Sequence, residues 1–256
     1  MSPATAKQTK KVKKEAAALI QAVDTPSRSP VLQLLDATRW LQGETWKAWN
    51  VFLRAEQGDP LAPDEPIETM QIFTACTGRT TWPTSPSRET LALIGRGGGK
   101  SLMMARKAVA RAVTFERRNY PTMADGEVPT VLVLAADREQ SQVIFTYILA
   151  ALSSDPALAQ MIASPPTAEK IELRNGVVIV CGTSNFRWVR GRCYIFVVCD
   201  EAAFWSREHR ANPASATLAA IRPGLRFVDS QLCIISTPYA QQDAVWDVFK
   251  RYYGQD

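Results

Sequence analysis

The chain has 256 residues, 46% of them apolar, with a net charge of +5 and a pI near 9.0. That length suits one large α/β domain with an appended subdomain, and the positive balance permits a polyanionic partner without establishing one. No apolar run is long enough to span a bilayer, and the five cysteines, an odd number with no C-x-x-C pair, argue against a disulfide framework or a zinc site and for a reducing cytosol.

The first 30 residues are polar and carry Lys7, Lys10, Lys11, Lys13 and Lys14 without the apolar stretch of a secretory signal. They read as a basic mobile tail with a short helix near Glu15–Val23. Residues 31–88 read as a helical N-terminal subdomain or nucleotide lid. One helical stretch runs over residues 31–55, with Leu32, Leu35, Trp40, Trp46, Trp49 and Phe52 on a single face. After Pro60, Pro63 and Pro66 comes a helix around Ile67–Thr77.

From residue 89 to 256 strands and helices alternate, which predicts a mostly parallel sheet flanked by helices. The strand-like runs are Leu91–Ile94, Thr130–Ala135, Tyr194–Cys199 and Leu232–Ser236. The helical runs are Ser101–Arg118, Arg138–Leu152 and Asp243–Tyr252, and Asn175-Gly176 within Lys170–Val180 marks a hairpin. In the helix from Ser101, Leu102, Ala105, Val109, Ala112 and Val113 form an apolar side. Lys107, Arg111 and Arg118 lie opposite, as a solvated basic face, with a DNA contact as the alternative.

The segment Leu91-Ala-Leu-Ile-Gly95-Arg96-Gly97-Gly98-Gly99-Lys100-Ser101 joins a buried strand to a helix through a glycine-dense turn. Glycines let backbone N–H groups crowd around an anion, lysine adds a point charge, and a serine hydroxyl can ligate Mg²⁺. Ile94 stands where the phosphate-loop pattern has its first glycine, so Gly95 comes one residue late. Downstream, Asp200 emerges at the carboxyl end of an apolar strand, where it can hold Mg²⁺ between phosphates. Glu201 follows directly and can polarise an attacking water if the chain turns it toward the terminal phosphate; the plainer reading is that both acids cap the next helix. Cys233-Ile-Ile-Ser236-Thr237-Pro238 ends another buried strand in hydroxyls able to sense that phosphate, or simply in a turn.

Together these segments resemble the ATPase domain of the large terminase subunit of tailed bacteriophages. The resemblance covers most of Leu91 to Pro238, includes the late glycine with Arg96 behind it, and extends to Thr77-Gly-Arg79 and Arg190-Gly-Arg192. It implies a RecA-like P-loop NTPase of the additional-strand, catalytic-glutamate type, with ATP and Mg²⁺ as ligands. It assigns Lys100 and Ser101 to phosphate and metal, Asp200 to metal, Glu201 to the base, and Ser236-Thr237 to coupling. It also implies an adenine-contacting glutamine, for which Gln71 is the candidate; a surface amide is the alternative. The implied partners are double-stranded DNA, a portal protein, the small terminase subunit and a homo-oligomeric ring of copies on the portal, in the host cytoplasm and with no membrane. Large terminases carry a nuclease domain after the ATPase, and this chain is expected to lack it.

Ring ATPases complete each site with an arginine from the neighbouring subunit. Arg138, opening a helix at the carboxyl edge of the sheet, is the candidate for that trans role, and a surface helix start capped by Asp137 is the alternative. Arg96 would act in cis. Arg187, Arg190 and Arg192 around Trp188, and the lysine tail, are candidate DNA-phosphate contacts. One lobe of a superfamily-two helicase is the alternative function, and a nucleotide-gated scaffold without hydrolysis is a third.

Overall fold

The computed structural model describes residues 28–184, 189, 191–205, 214–239 and 244–255. The expected helix at Glu15–Val23, the lysine tail, Arg187, Trp188 and Arg190 lie outside the described residues. Among the described residues six strands form one sheet: β1 Glu89–Leu93, β2 Pro129–Ala135, β3 Lys170–Glu172, β4 Val178–Thr183, β5 Cys193–Asp200 and β6 Gln231–Ser236. Their order is β1-β6-β5-β2-β4-β3, parallel throughout except for the antiparallel β3–β4 pair. The strand ending in Ser236 therefore lies between the strand of the glycine loop and the strand ending in Asp200. The additional-strand α/β architecture expected from the sequence is present.

Period-two alternation sends neighbouring residues to opposite sides of the sheet. Val131 and Val133 of β2 join one core cluster, with Ile195 and Val198 of β5; Leu132 and Leu134 join the other, with Val197, Leu232 and Ile234. Both faces are covered, so every residue of β5 is buried. β1 is different: among the described residues it is an edge strand paired with β6 alone, and only Ala92 of its five residues is buried. The expectation of a buried strand there fails because an edge lacks a neighbour on one side.

The first cluster is filled by α4 (Lys100–Val113), through Met103, Met104, Ala108 and Val109. Among the described residues three helices precede it: α1 Pro30–Ala37, α2 Lys47–Glu56 and α3 Ile67–Thr77. Leu32, Leu35, Trp49 and Leu53 of α1 and α2 sit in the same cluster as α4, so these helices share the core of the sheet. The single helical stretch expected over residues 31–55 is instead two helices. Arg39, at φ +58°, and Gly43, at φ +100°, take left-handed backbone that a helix cannot continue through, and a short 3₁₀ turn at Glu44–Trp46 leads into α2.

The helix from the glycine loop stops at Val113 rather than Arg118; a 3₁₀ turn at Arg117–Asn119 follows. Asn175 of the β3–β4 turn donates to the Ala112 carbonyl at 2.8 Å, satisfying a helix-end acceptor, and Gly176 supplies the positive φ of +89°. The expected helices at Arg138–Leu152 and Asp243–Tyr252 are observed as α5 Arg138–Ser153 and α8 Ala244–Tyr252, whereas α6 Pro156–Ala159 and α7 Ala214–Ile221 have no counterpart in the sequence pattern. The Asp137 carboxylate accepts from the Gln140 N–H at 2.8 Å and caps α5.

The basic side of α4 is not a solvated face. Lys107 is fully buried, its ammonium paired with the Glu56 carboxylate of α2 and 4.7 Å from the centre of the Phe196 ring. Arg111 donates to the Ile195 and Asp229 carbonyls at 3.0 and 2.6 Å. Only Arg118 of the three is exposed. Helical periodicity places the three on one side of the helix; it does not say whether that side meets water or the sheet.

Candidate nucleotide-binding site

The glycine loop leaves β1 with the Ile94 N–H still bonded to the Ser236 carbonyl of β6 at 3.0 Å, so its first residue is fixed to the sheet. The Gly98 N–H then closes a turn on the Gly95 carbonyl at 3.3 Å. Gly97 and Gly99 have φ of +77° and +75°, a region side chains rarely adopt. At Gly98 a Cβ would lie 2.4 Å from Ile94 Cγ2, so Ile94 occupies the room that a side chain at position 98 would need. A Cβ on Gly95 or Gly97 would meet nothing within 4 Å. The crest of the loop therefore faces open space, as an anion cradle requires.

Lys100 opens α4 and folds back over the loop. Its ammonium donates to the Ile94 carbonyl at 3.0 Å, the Gly95 carbonyl at 3.4 Å and Thr237 Oγ1 at 3.0 Å, and lies 3.4 Å from Glu201 Oε1. Ser101 Oγ donates to Asp200 Oδ2 at 3.3 Å. Loop strand and acidic strand are separated in the sheet by β6 alone, which lets these side chains meet.

Asp200 ends β5 and is 3% exposed, and its Oδ1 is buried with no hydrogen-bond partner. Burial, reinforced by the adjacent Glu201 charge, pushes its pKa up from 3.8 to about 6. Glu201 turns through left-handed backbone, φ +50° and ψ +42°, which costs a non-glycine residue about 1–3 kcal/mol. This turn carries its carboxylate toward β6, as needed to face the same space as Asp200. There Oε2 accepts from the Thr237 N–H at 2.8 Å and from Ser236 Oγ at 3.3 Å, and Oε1 accepts from Thr237 Oγ1 at 2.9 Å. Glu201 makes no side-chain capping bond to the 3₁₀ turn Ala202–Phe204 that follows it.

The structure thus joins Lys100, Ser101, Asp200, Glu201, Ser236 and Thr237 within hydrogen-bonding reach at the carboxyl edge of the sheet. A buried carboxylate oxygen without a partner, beside a serine hydroxyl and an open glycine cradle, fits a hydrated divalent cation with an attached polyphosphate. Arg96 is exposed on the loop. Arg138 is 75% exposed at its side chain and 3.8 Å from Glu169, at the same edge but one strand beyond β5; it makes no hydrogen bond to the six. Gln71 is exposed on α3 and makes none either. Arg192 is exposed before β5.

Two residues at the site were hidden in the sequence as ordinary apolar-face positions. The Trp49 indole N–H donates to the Gly98 carbonyl at 2.8 Å, and the Trp46 ring lies 3.0 Å from the place a Cβ on Gly99 would occupy. Their spacing announces a helix face; nothing in it announces the loop, which is about fifty residues away in the chain.

No family model and no curated protein matches the chain. Solved structures do. The large terminase of bacteriophage HK97 superposes with a TM-score of 0.51 at 16% identity, over 80% of this chain and 40% of that one. A variant of the ATPase domain of the large terminase of Thermus phage P74-26 gives 0.45 at 19% identity, over 63% of this chain and 64% of that one. Dbp5 of S. cerevisiae, in a complex with Nup159, Gle1, IP6 and ADP, gives 0.49 at 14% identity, over 89% and 50%. The chain spans less than two thirds of each of these proteins. At such identities the likeness is one of fold: the chain has a RecA-like P-loop α/β fold, with a phage large terminase among its structural neighbours.

Proposed function

We propose that the chain is the ATP-hydrolysing motor domain of a phage-type large terminase, driving double-stranded DNA through a portal into a procapsid. The observation that carries this reading is the meeting of Lys100, Ser101, Asp200, Glu201 and Ser236-Thr237 on one open glycine cradle. Loop N–H groups and the Lys100 ammonium would bind the phosphates of ATP. Bound Mg²⁺, held by Ser101 and Asp200, would neutralise charge on the phosphates. Glu201, aimed by the Thr237 N–H and hydroxyl, would orient and deprotonate the attacking water. Because Ser236-Thr237 touch both Lys100 and Glu201 through Thr237, departure of the terminal phosphate would alter bonds at the end of β6 and so reach the rest of the sheet.

Arg138 is proposed as the trans arginine of a homo-oligomeric ring, Arg96 as a cis contact, and Gln71 as the adenine contact. Arg192 and the basic tail are proposed for DNA phosphates. A portal protein and the small terminase subunit complete the proposed assembly in the host cytoplasm. Steady-state release of inorganic phosphate, measured with and without double-stranded DNA and Mg²⁺, tests the reading. Metal-dependent ATP turnover stimulated by DNA is expected; absence of ATP binding would end it. Strand displacement from a forked duplex would instead favour a helicase lobe.

A further inference from the structure

The glycine loop is held from outside its own motif. Trp46, which ends the 3₁₀ turn before α2, and Trp49, in the first turn of α2, both reach it. Trp49 is set by edge-to-face contact with Phe52, ring centres 5.5 Å apart. The Trp46 ring receives the Arg106 guanidinium of α4 at 5.1 Å, and Arg106 also donates to the Trp40 carbonyl at 2.8 Å. At the far end of α2, Glu56 is paired with Lys107 of α4, both inaccessible to water. α2 is therefore fastened to the loop helix at both ends, and the Trp49 donor comes from a fixed platform.

The consequence lies in peptide geometry. In a planar trans peptide the C=O and the following N–H point in opposite directions. Fixing the Gly98 carbonyl toward α2 fixes the Gly99 N–H away from it. The positive φ at Gly97 and at Gly99 makes these peptides the ones with most freedom to flip.

We propose that Trp49 is a positioning residue for the phosphate loop: its indole N–H pre-sets the Gly98–Gly99 peptide so that the loop N–H groups already converge when a nucleoside triphosphate arrives. The identity of that ligand rests on the function proposed above, whereas loop order in the free protein does not. Trp49→Phe removes the donor and keeps an aromatic ring. A 3-benzothienylalanine at position 49, with sulfur in place of the indole N–H, preserves the full shape and serves if the Phe variant loosens the core. Hydrogen exchange of the amides at 95–101 in the nucleotide-free protein is expected to quicken by about five- to tenfold, with β5 amides unchanged. KM for ATP is expected to rise by a similar factor while kcat stays within about twofold, because one net hydrogen bond contributes about that much and no hydrolytic group is removed. Unchanged loop exchange in the sulfur variant overturns the proposal whatever ATP does. Quickened exchange with unaltered ATP affinity also overturns it, since the bond would then order the loop without serving the ligand. Failure of the unaltered protein to bind a fluorescent ATP analogue sinks the motor reading instead, and the exchange measurement still decides the role of Trp49 in ordering the loop.

Discussion

Lys100 and Lys107 stand two turns apart on α4, and each faces a glutamate, but their surroundings differ in kind. Lys100 spreads its charge over two carbonyls, a threonine hydroxyl and Glu201, with separations from 3.0 to 3.4 Å, at the rim of an open cradle. Lys107 is closed off from water and directed at one carboxylate, the Cys233 sulfur at 3.1 Å and one ring face. Several modest contacts are exchangeable: an arriving phosphate could replace them at little cost. A single dry pair is not, because removing either member leaves a buried charge without compensation. A cation that shares several weak contacts beside an open glycine crest marks the site of exchange, even though Lys100 is itself only 7% exposed, and one held in a dry pair marks the frame.

Perturbing each side of this contrast gives different readouts. The largest effect belongs to the open side: Glu201→Gln is expected to lower ATP turnover by about 10²–10⁴ while nucleotide binding persists. Comparing phosphate release with binding of a fluorescent analogue checks it, and near-normal turnover would remove Glu201 from the proton-transfer role. On the closed side, Lys107→Ala is expected to destabilise the fold by about 3–5 kcal/mol, read from urea unfolding. The double change Lys107→Met with Glu56→Leu should recover most of it, since packed apolar groups can replace a buried pair. A loss below about 1 kcal/mol for Lys107→Ala would place that pair with the exchangeable ones.

A smaller effect concerns Asp200. Its folded-state pKa is raised, so the folded protein holds that proton more tightly than the unfolded chain does. The resulting stabilisation is complete below the unfolded value of 3.8 and is lost as pH rises through about 6. Asp200→Asn, which carries no charge to desolvate, is expected to stabilise the nucleotide-free protein by about 1–2 kcal/mol near pH 8, the gain fading toward pH 4. Thermal unfolding across that range checks it; a pH-independent difference would mean that the carboxylate charge is not what strains the site. The smallest folding effect is expected at Arg138, exposed and 3.8 Å from its nearest acid: Arg138→Ala should shift stability by less than about 0.5 kcal/mol. Mixed with Glu201→Ala protein, it should restore part of the hydrolysis each variant lacks. No recovery would remove the trans role.

The same contrast separates what could be read from residues alone from what could not. Lys100, Ser101, Asp200 and Glu201 stand beside glycines or at strand ends, where local chemistry restricts what they can do, and they converge as the motifs required. Lys107 and Arg111 carry no such local mark, and their helical spacing suits a wet face as well as a dry one. The break at Arg39 to Gly43 was missed for a related reason: the apolar period runs on through it, while the left-handed turn depends on both flanking helices docking in one core.

By itself the sequence indicated the strands and most of the helices from residue 89 onward, though not α6 or α7, and it marked the glycine loop and the pair of acids, because these follow from neighbours a few positions apart. Only the tertiary structure decided that β6 separates β1 from β5, that β1 is an edge, that a lysine on α4 is dry, and that two tryptophans brace the loop. Each of those depends on which surfaces meet across tens of residues, and hydrophobic burial selects that meeting collectively rather than residue by residue.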